Sequence, residues 1–156
     1  MDKLVIYTDG ACRGNQNTEK NLGAYAYYLI FQDKKKSFAT AIPNTTNNKM
    51  ELMAVIEALK ALKPFAYNLP IVLYSDSQYV VSGFNDWVQG WIAKNWKGVK
   101  NIDLWQSLLE QASKFSCLTI EKVSGHADCE GNNRVDLLCN AAMDSYINNQ
   151  RINQSK

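Results

Sequence analysis

The stretch "LVIYTDGACRGN", residues 4–15, carries most of the information about the architecture. Its first five residues are apolar or β-prone without alternation, the pattern of a strand covered on both faces and therefore central in its sheet. The run then meets Asp9 and Gly10, although burying a carboxylate is costly. The same pattern returns in "IVLYSD", residues 71–76, a second buried strand that ends on Asp76. In sheets with parallel strands, ligands gather beyond the carboxyl ends of those strands, where both acids stand.

Working outward, the polar loop "RGNQNTEKN" is followed by two strand-like runs, "GAYAYYLIF" and "SFATAI", with "QDKKK" between them as a hairpin turn. "TTNNKMELMAVIEALKALK" places Leu52, Val55, Ile56, Leu59 and Leu62 at helical spacing, with Asn cap candidates before it and Pro64 after. A short helix follows Asp76, with Ser77 available near its start. Gly83, Gly90 and Gly98 punctuate a Trp-rich segment, and a helix is expected over 102–114. The strand "CLTIEKV" and the loop "SGHADCEGNN" lead to a terminal helix over about 133–147. Residues 148–156 read as a polar, disordered tail, leaving one domain over 1–147. The order βββαβααβα does not alternate strictly, so the expected fold class is α/β with a mixed sheet: an antiparallel meander joined to parallel strands by helical crossovers.

At 156 residues and 46% hydrophobic, the chain suits a single core. The formal charge of +2 is too small to mark a nucleic-acid binder by charge alone, so any basic surface must be local. No N-terminal run suits a signal peptide, and none approaches the ~18 apolar residues of a membrane span. The expected location is the cytoplasm. The four cysteines form no CxxC pair, which favours reduced thiols.

Each acid has an ordinary alternative. Asp9-Gly10 is a common turn pair. Asp76 suits a helix N-cap. Glu51 lies at the border of the apolar stripe, whereas Glu57 is expected to point into solvent; with Asn48 three residues earlier, Glu51 also fits a capping box. Asp136 in the first turn of the terminal helix would complement the helix dipole. His126, the single histidine, lies in a loop, where such residues are often merely exposed. Taken jointly, two strand-end acids and two helix-edge acids converging on one rim would repel one another unless they protonated or bound cations. Oxygen-only donors suit Mg²⁺ or Mn²⁺ rather than zinc.

"YTDGAC.GN", "TTNNKMELMAVIEAL", "SDSQYVV", "NIDLW" and "SGHA…NNRVD", in that order, resemble bacterial-type ribonuclease H of the first type, from about residue 3 to residue 143. The resemblance implies the ribonuclease H-like fold, a five-stranded mixed β-sheet flanked by α-helices. It also implies an endonuclease that hydrolyses the RNA strand of RNA/DNA hybrids with two Mg²⁺ ions, Mn²⁺ substituting, to leave 5′-phosphate and 3′-hydroxyl ends. Asp9, Glu51, Asp76 and Asp136 match the family's metal-binding carboxylates, and His126 its mobile-loop histidine. Cys12, Asn15, Asn47 and Gln78 match positions lining the shallow groove, with Thr46 and Asn48 beside them on the nucleic acid. Trp87, Trp91, Lys94 and Lys97 resemble part of the basic protrusion that grips the DNA strand, with Trp87 facing the groove and packing as the alternative for at least one tryptophan.

The chain departs from the family pattern in several places, among them the histidine loop "HADCEGNN", which carries Cys129 and Glu130. "QNTEKN" replaces a Pro- and Gly-rich turn after Asn15, the protrusion is short and less basic, and Asn44 stands where some relatives carry a basic residue. The expected species is a monomer with the hybrid duplex as partner, no membrane and no obligate protein partner. The rival readings are a non-catalytic hybrid-binding module and a DNA-cutting relative of the same fold.

Overall fold

Strand β1 (Leu4–Arg13) pairs antiparallel with β2 (Leu22–Phe31), which pairs antiparallel with β3 (Lys34–Pro43). On its other edge β1 pairs in parallel with β4 (Ile71–Ser75), and β4 with β5 (Leu118–Lys122). The order is β3-β2-β1-β4-β5, so β1 is central and the sheet is mixed, as expected. The computed structural model describes residues 2–14, 20–123 and 130–154.

Alternate residues of the central strands enter different cores, as the two-residue period of a strand requires. Leu4, Ile6, Tyr27 and Leu29 pack with Leu52, Val55, Ile56 and Leu59 of α1 (Asn47–Lys60) and with Trp105 and Leu108 of α4 (Ile102–Ala112). Ala24, Ala26 and Tyr28 pack on the opposite face with Val135, Cys139 and Met143 of α5 (Glu130–Gln154). Helices on both faces explain why residues 4–8 carry no polar alternation.

Several boundaries differ from expectation. β1 continues past Asp9 to Arg13, because β2 still pairs with it there. The hairpin turn is confined to Gln32 and Asp33, with Gln32 left-handed at φ 56°, and the lysines at 34–36 open β3. α1 is capped by Thr46, whose side chain accepts from the Lys49 N–H. Glu57 is half-buried rather than in solvent, and its charge reaches the phenols of Tyr25 and Tyr27. α4 ends at Ala112, two residues before its expected end. α5 begins three residues before its expected start and runs to Gln154, so residues 148–154 continue the helix rather than forming a tail. No Gly or Pro interrupts them, and Tyr146, Ile147, Gln150 and Arg151 line a groove beside Arg13 and Leu22.

The Trp-rich segment is also more ordered than its glycines suggested. α2 (Gln78–Ser82) passes through a π turn (Gly83–Trp87) into α3 (Val88–Ala93) without a break. A Cβ on Gly83 would lie 2.3 Å from the Trp105 ring, so glycine is what lets this helix sit on α4. Trp91 packs edge-on to Trp105, ring centroids 5.0 Å apart, and Trp96 lies 6.1 Å from Trp91. These rings hold the segment 94–101, where Asn95, Trp96 and Asn101 all adopt positive φ. Cys12, Cys117 and Cys139 are free thiols, and Cys129 lies outside the described residues. Among the described residues, no helix is long and apolar enough to cross a membrane.

Candidate metal centre and nucleic-acid interface

The parallel ladder between β1 and β4 stops at Thr8 and Ser75, one residue before an acid on each strand. β1 goes on, Asp9 facing Ala26 and Gly10 facing Tyr25, so Asp9-Gly10 is not a turn. β4 instead leaves the sheet. The Ser75 hydroxyl accepts from the Ser77 N–H at 3.1 Å, and the Ser77 hydroxyl caps α2 by accepting from the Val80 N–H at 3.2 Å. Ser77 therefore does the capping, and Asp76 is left exposed beside the gap that opens where the strands diverge.

Glu51 reaches the same gap from α1. With Thr46 as N-cap the third helical residue is Lys49, so Glu51 closes no capping box. Its carboxylate accepts instead from the Gly10 N–H across the strand-helix junction. The junction is close-packed: a Cβ on Gly10 would fall 2.3 Å from backbone atoms of Met50 and Glu51. Asp136 is the seventh residue of α5, beyond the first turn where the helix dipole acts, which removes the dipole explanation. It lines the same cleft, where its charge acts on the Asp9 carboxyl.

Asp9, Glu51 and Asp76 each offer a carboxylate oxygen within 4.8 Å of the others. Asp9 and Glu51 are buried, Asp76 and Asp136 exposed, so the cleft has a dry floor and a wet rim. Burial pushes the Asp9 carboxyl up to about 8, the charges of Asp76 and Asp136 adding to it while the Gly10 N–H opposes. Glu51 is raised well above the ordinary carboxylate range by burial first, then by Asp9 and Asp76. Such a cluster, with oxygen as its only donor atom, fits a hard divalent cation, whose charge removes the repulsion.

Around the acids, the cleft is lined by Asn47, Asn48, Ser77, Gln78 and Tyr79. Thr46 caps α1 at the cleft's edge, and Cys12 is half-buried with its thiol 3.8 Å from the Thr45 carbonyl. Asn15 and His126 lie outside the described residues. Trp87, Trp91, Lys94 and Lys97 do not line this cleft. Trp87 is 44% exposed, whereas Trp91 is spent in the contact with Trp105, the packing role weighed for one of the pair.

The profile of the RNase H family matches residues 1–144. The chain belongs to the RNase H family. It is 48% identical over 152 residues to the ribonuclease H of Clostridium botulinum (strain Hall), covering 94% of this chain and 99% of that one. It is 41% identical over 149 residues to the ribonuclease H of Ruthia magnifica, covering 92% and 97%. Among solved structures, LC9-RNase H1, described as a type 1 RNase H, superposes with a TM-score of 0.81 at 26% identity over 93% of this chain and 74% of that one. The protein is thus an enzyme of the ribonuclease H class, and its acidic cluster is the feature that fits a metal site.

Two features of this ribonuclease H escape sequence reading. The thiol of Cys139, buried and held protonated, donates to the Asp9 carbonyl at 3.5 Å and ties α5 to β1 beside the acids. Asn21, also buried, clamps the segment before α1: its amide donates to the Thr45 carbonyl at 2.5 Å and its oxygen accepts from the Thr45 N–H at 2.8 Å. No periodicity announces an asparagine in a polar loop as a clamp on a segment 24 residues away. Asn21→Ala leaves the buried Thr45 N–H unpaired and its carbonyl with only the Cys12 thiol, at a cost of about 1–3 kcal/mol. The expected result is a melting temperature about 5 °C lower, together with a raised KM for a nucleic-acid substrate, measured by thermal unfolding and steady-state kinetics.

Proposed function

We propose that this protein is a Mg²⁺-dependent endoribonuclease that hydrolyses the RNA strand of RNA/DNA hybrids, giving 5′-phosphate and 3′-hydroxyl ends. The observation that carries the reading is the convergence of Asp9, Glu51 and Asp76 within 4.8 Å, with Asp136 beside Asp9, in a cleft that also presents amide side chains. In this reading Asp9, Glu51, Asp76 and Asp136 hold two Mg²⁺ ions, with Mn²⁺ able to replace them. When bound, the pair supplies a lowered pKa for the attacking water and charge neutralisation at the leaving 3′-oxygen. The residues of the chain do the rest. The Gly10 N–H holds Glu51 in place, and His126 serves proton transfer or product departure. Cys12, Asn15, Thr46, Asn47, Asn48 and Gln78 contact sugars, phosphates and base edges, where the 2′-hydroxyl distinguishes RNA from DNA. Trp87, Trp91, Lys94 and Lys97 belong to the surface that meets the DNA strand, with Trp87 the more exposed of the two rings. The working species is a monomer in the cytoplasm.

The test is cleavage of a labelled RNA/DNA hybrid beside RNA/RNA, DNA/DNA and single-stranded RNA, in Mg²⁺ and in EDTA. Cutting is expected only in the RNA of the hybrid and only with the metal. Binding without cutting would move the protein to the non-catalytic class, and cutting of DNA/DNA would move it to the DNA-cleaving relatives of the fold.

A further inference from the structure

Gln78 opens α2 two residues after Asp76 and lines the acidic cleft. Its carboxamide is held at both ends. The Nε2 group donates to the Ser82 hydroxyl one helical turn on, and the Oε1 atom accepts from the Lys122 ammonium at 3.1 Å. Lys122 is the last residue of β5, in register with Ser75 of β4, so the sheet itself delivers the ammonium to the place where the chain turns out toward Asp76 and Gln78. The neighbouring Glu121 is engaged by the Thr119 hydroxyl at 3.1 Å, and among the described residues Lys122 forms no ion pair with a carboxylate.

An ammonium can only donate, so the amide oxygen must be the atom facing Lys122 and the amide nitrogen the one facing Ser82. One N–H and one lone pair remain for a ligand. We propose that Lys122 and Ser82 are positioning residues that lock the Gln78 carboxamide in a single orientation, so that it meets the nucleic-acid groove edge as a fixed donor-acceptor pair. A 2′-hydroxyl, itself donor and acceptor, or the edge of a base complements such a pair. The assignment rests on the hybrid-cleaving reading given above. Its value is preorganisation: a glutamine already immobilised loses less freedom on binding, which is worth about two- to tenfold in affinity.

The experiment is steady-state cleavage of an RNA/DNA hybrid in Mg²⁺ by the full chain and by Lys122→Met, Lys122→Arg, Ser82→Ala, Gln78→Ala and the doubles Lys122→Met/Gln78→Ala and Ser82→Ala/Gln78→Ala. Thermal unfolding is measured alongside. Lys122→Met and Ser82→Ala are each expected to raise KM about two- to tenfold with little change in kcat or melting temperature. Lys122→Arg keeps a donor and restores KM. In the Gln78→Ala background neither change adds anything, because the side chain they position is gone. Additive effects in that background would show that Lys122 touches the substrate directly, and an unchanged KM in both singles would show that the orientation is not limiting; either overturns the proposal. A native chain that binds but never cuts the hybrid would overturn the functional reading instead, which the unsubstituted protein reports on its own.

Discussion

Asp9→Asn is expected to abolish hybrid cleavage while leaving the fold intact and, in EDTA, more stable than the native chain. Losing one preorganised charge at a reacting centre costs about 10²–10³-fold in turnover, and Asp9 also faces both Asp76 and Asp136. The stability effect has the opposite sign. Without metal, folded Asp9 holds its proton up to about pH 8, whereas the unfolded chain releases it near 3.8. The raised value favours the folded state at pH below the ordinary carboxylate range, and the advantage is lost as pH rises through the window from about 4 to about 8. Glu51 is shifted in the same direction and adds to the slope.

Melting temperatures in EDTA across pH 5–8 should therefore fall more steeply for the native chain than for Asp9→Asn. Saturating Mg²⁺ should flatten the native curve, because a cation takes over the role of the protons. At limiting Mg²⁺, activity should rise with pH toward about 8. An active Asp9→Asn enzyme, or parallel EDTA curves, would remove Asp9 from the metal centre.

Gly10→Ala is expected to be among the most damaging single-methyl changes available. The added Cβ would sit 2.3 Å from the Glu51 nitrogen and the Met50 carbonyl carbon, both backbone atoms that cannot swing aside. The helix must move off the strand. Overpacking of this kind costs about 3 kcal/mol, or roughly 10 °C in melting temperature for a domain of this size. The same displacement breaks the Gly10 to Glu51 hydrogen bond, so surviving folded protein should show a lower kcat as well. Thermal unfolding and kinetics on the soluble fraction separate the two losses. Gly90→Ala is the control, since nothing lies within 4 Å of a Cβ there.

The sheet could be read from the sequence because burial on both faces leaves a direct mark: residues 4–8 and 71–75 lack polar alternation, and the acids after them stand out against it. Glu51 was visible as a charge on the border of an apolar stripe, but its partner was not, because the bond to Gly10 joins residues 41 apart. The cap of α1 could not be placed within "TTNN", where every residue is a competent cap; the fold selects Thr46. The end of α5 was misplaced because its last turns are polar and carry no apolar stripe to mark a helix. Asn21, Cys139 and Lys122 act through long-range hydrogen bonds, which no local pattern encodes.

The four acids come from β1, α1, the end of β4 and α5, elements spread from the start of the chain almost to its finish. During synthesis the first three emerge before α5, and Asp136 arrives only with that helix. A ribosome-bound chain therefore carries an incomplete centre until α5 emerges. Nuclease activity therefore depends on α5, and a truncation that removes it should silence the enzyme and also uncover the sheet face of Ala24, Ala26 and Tyr28.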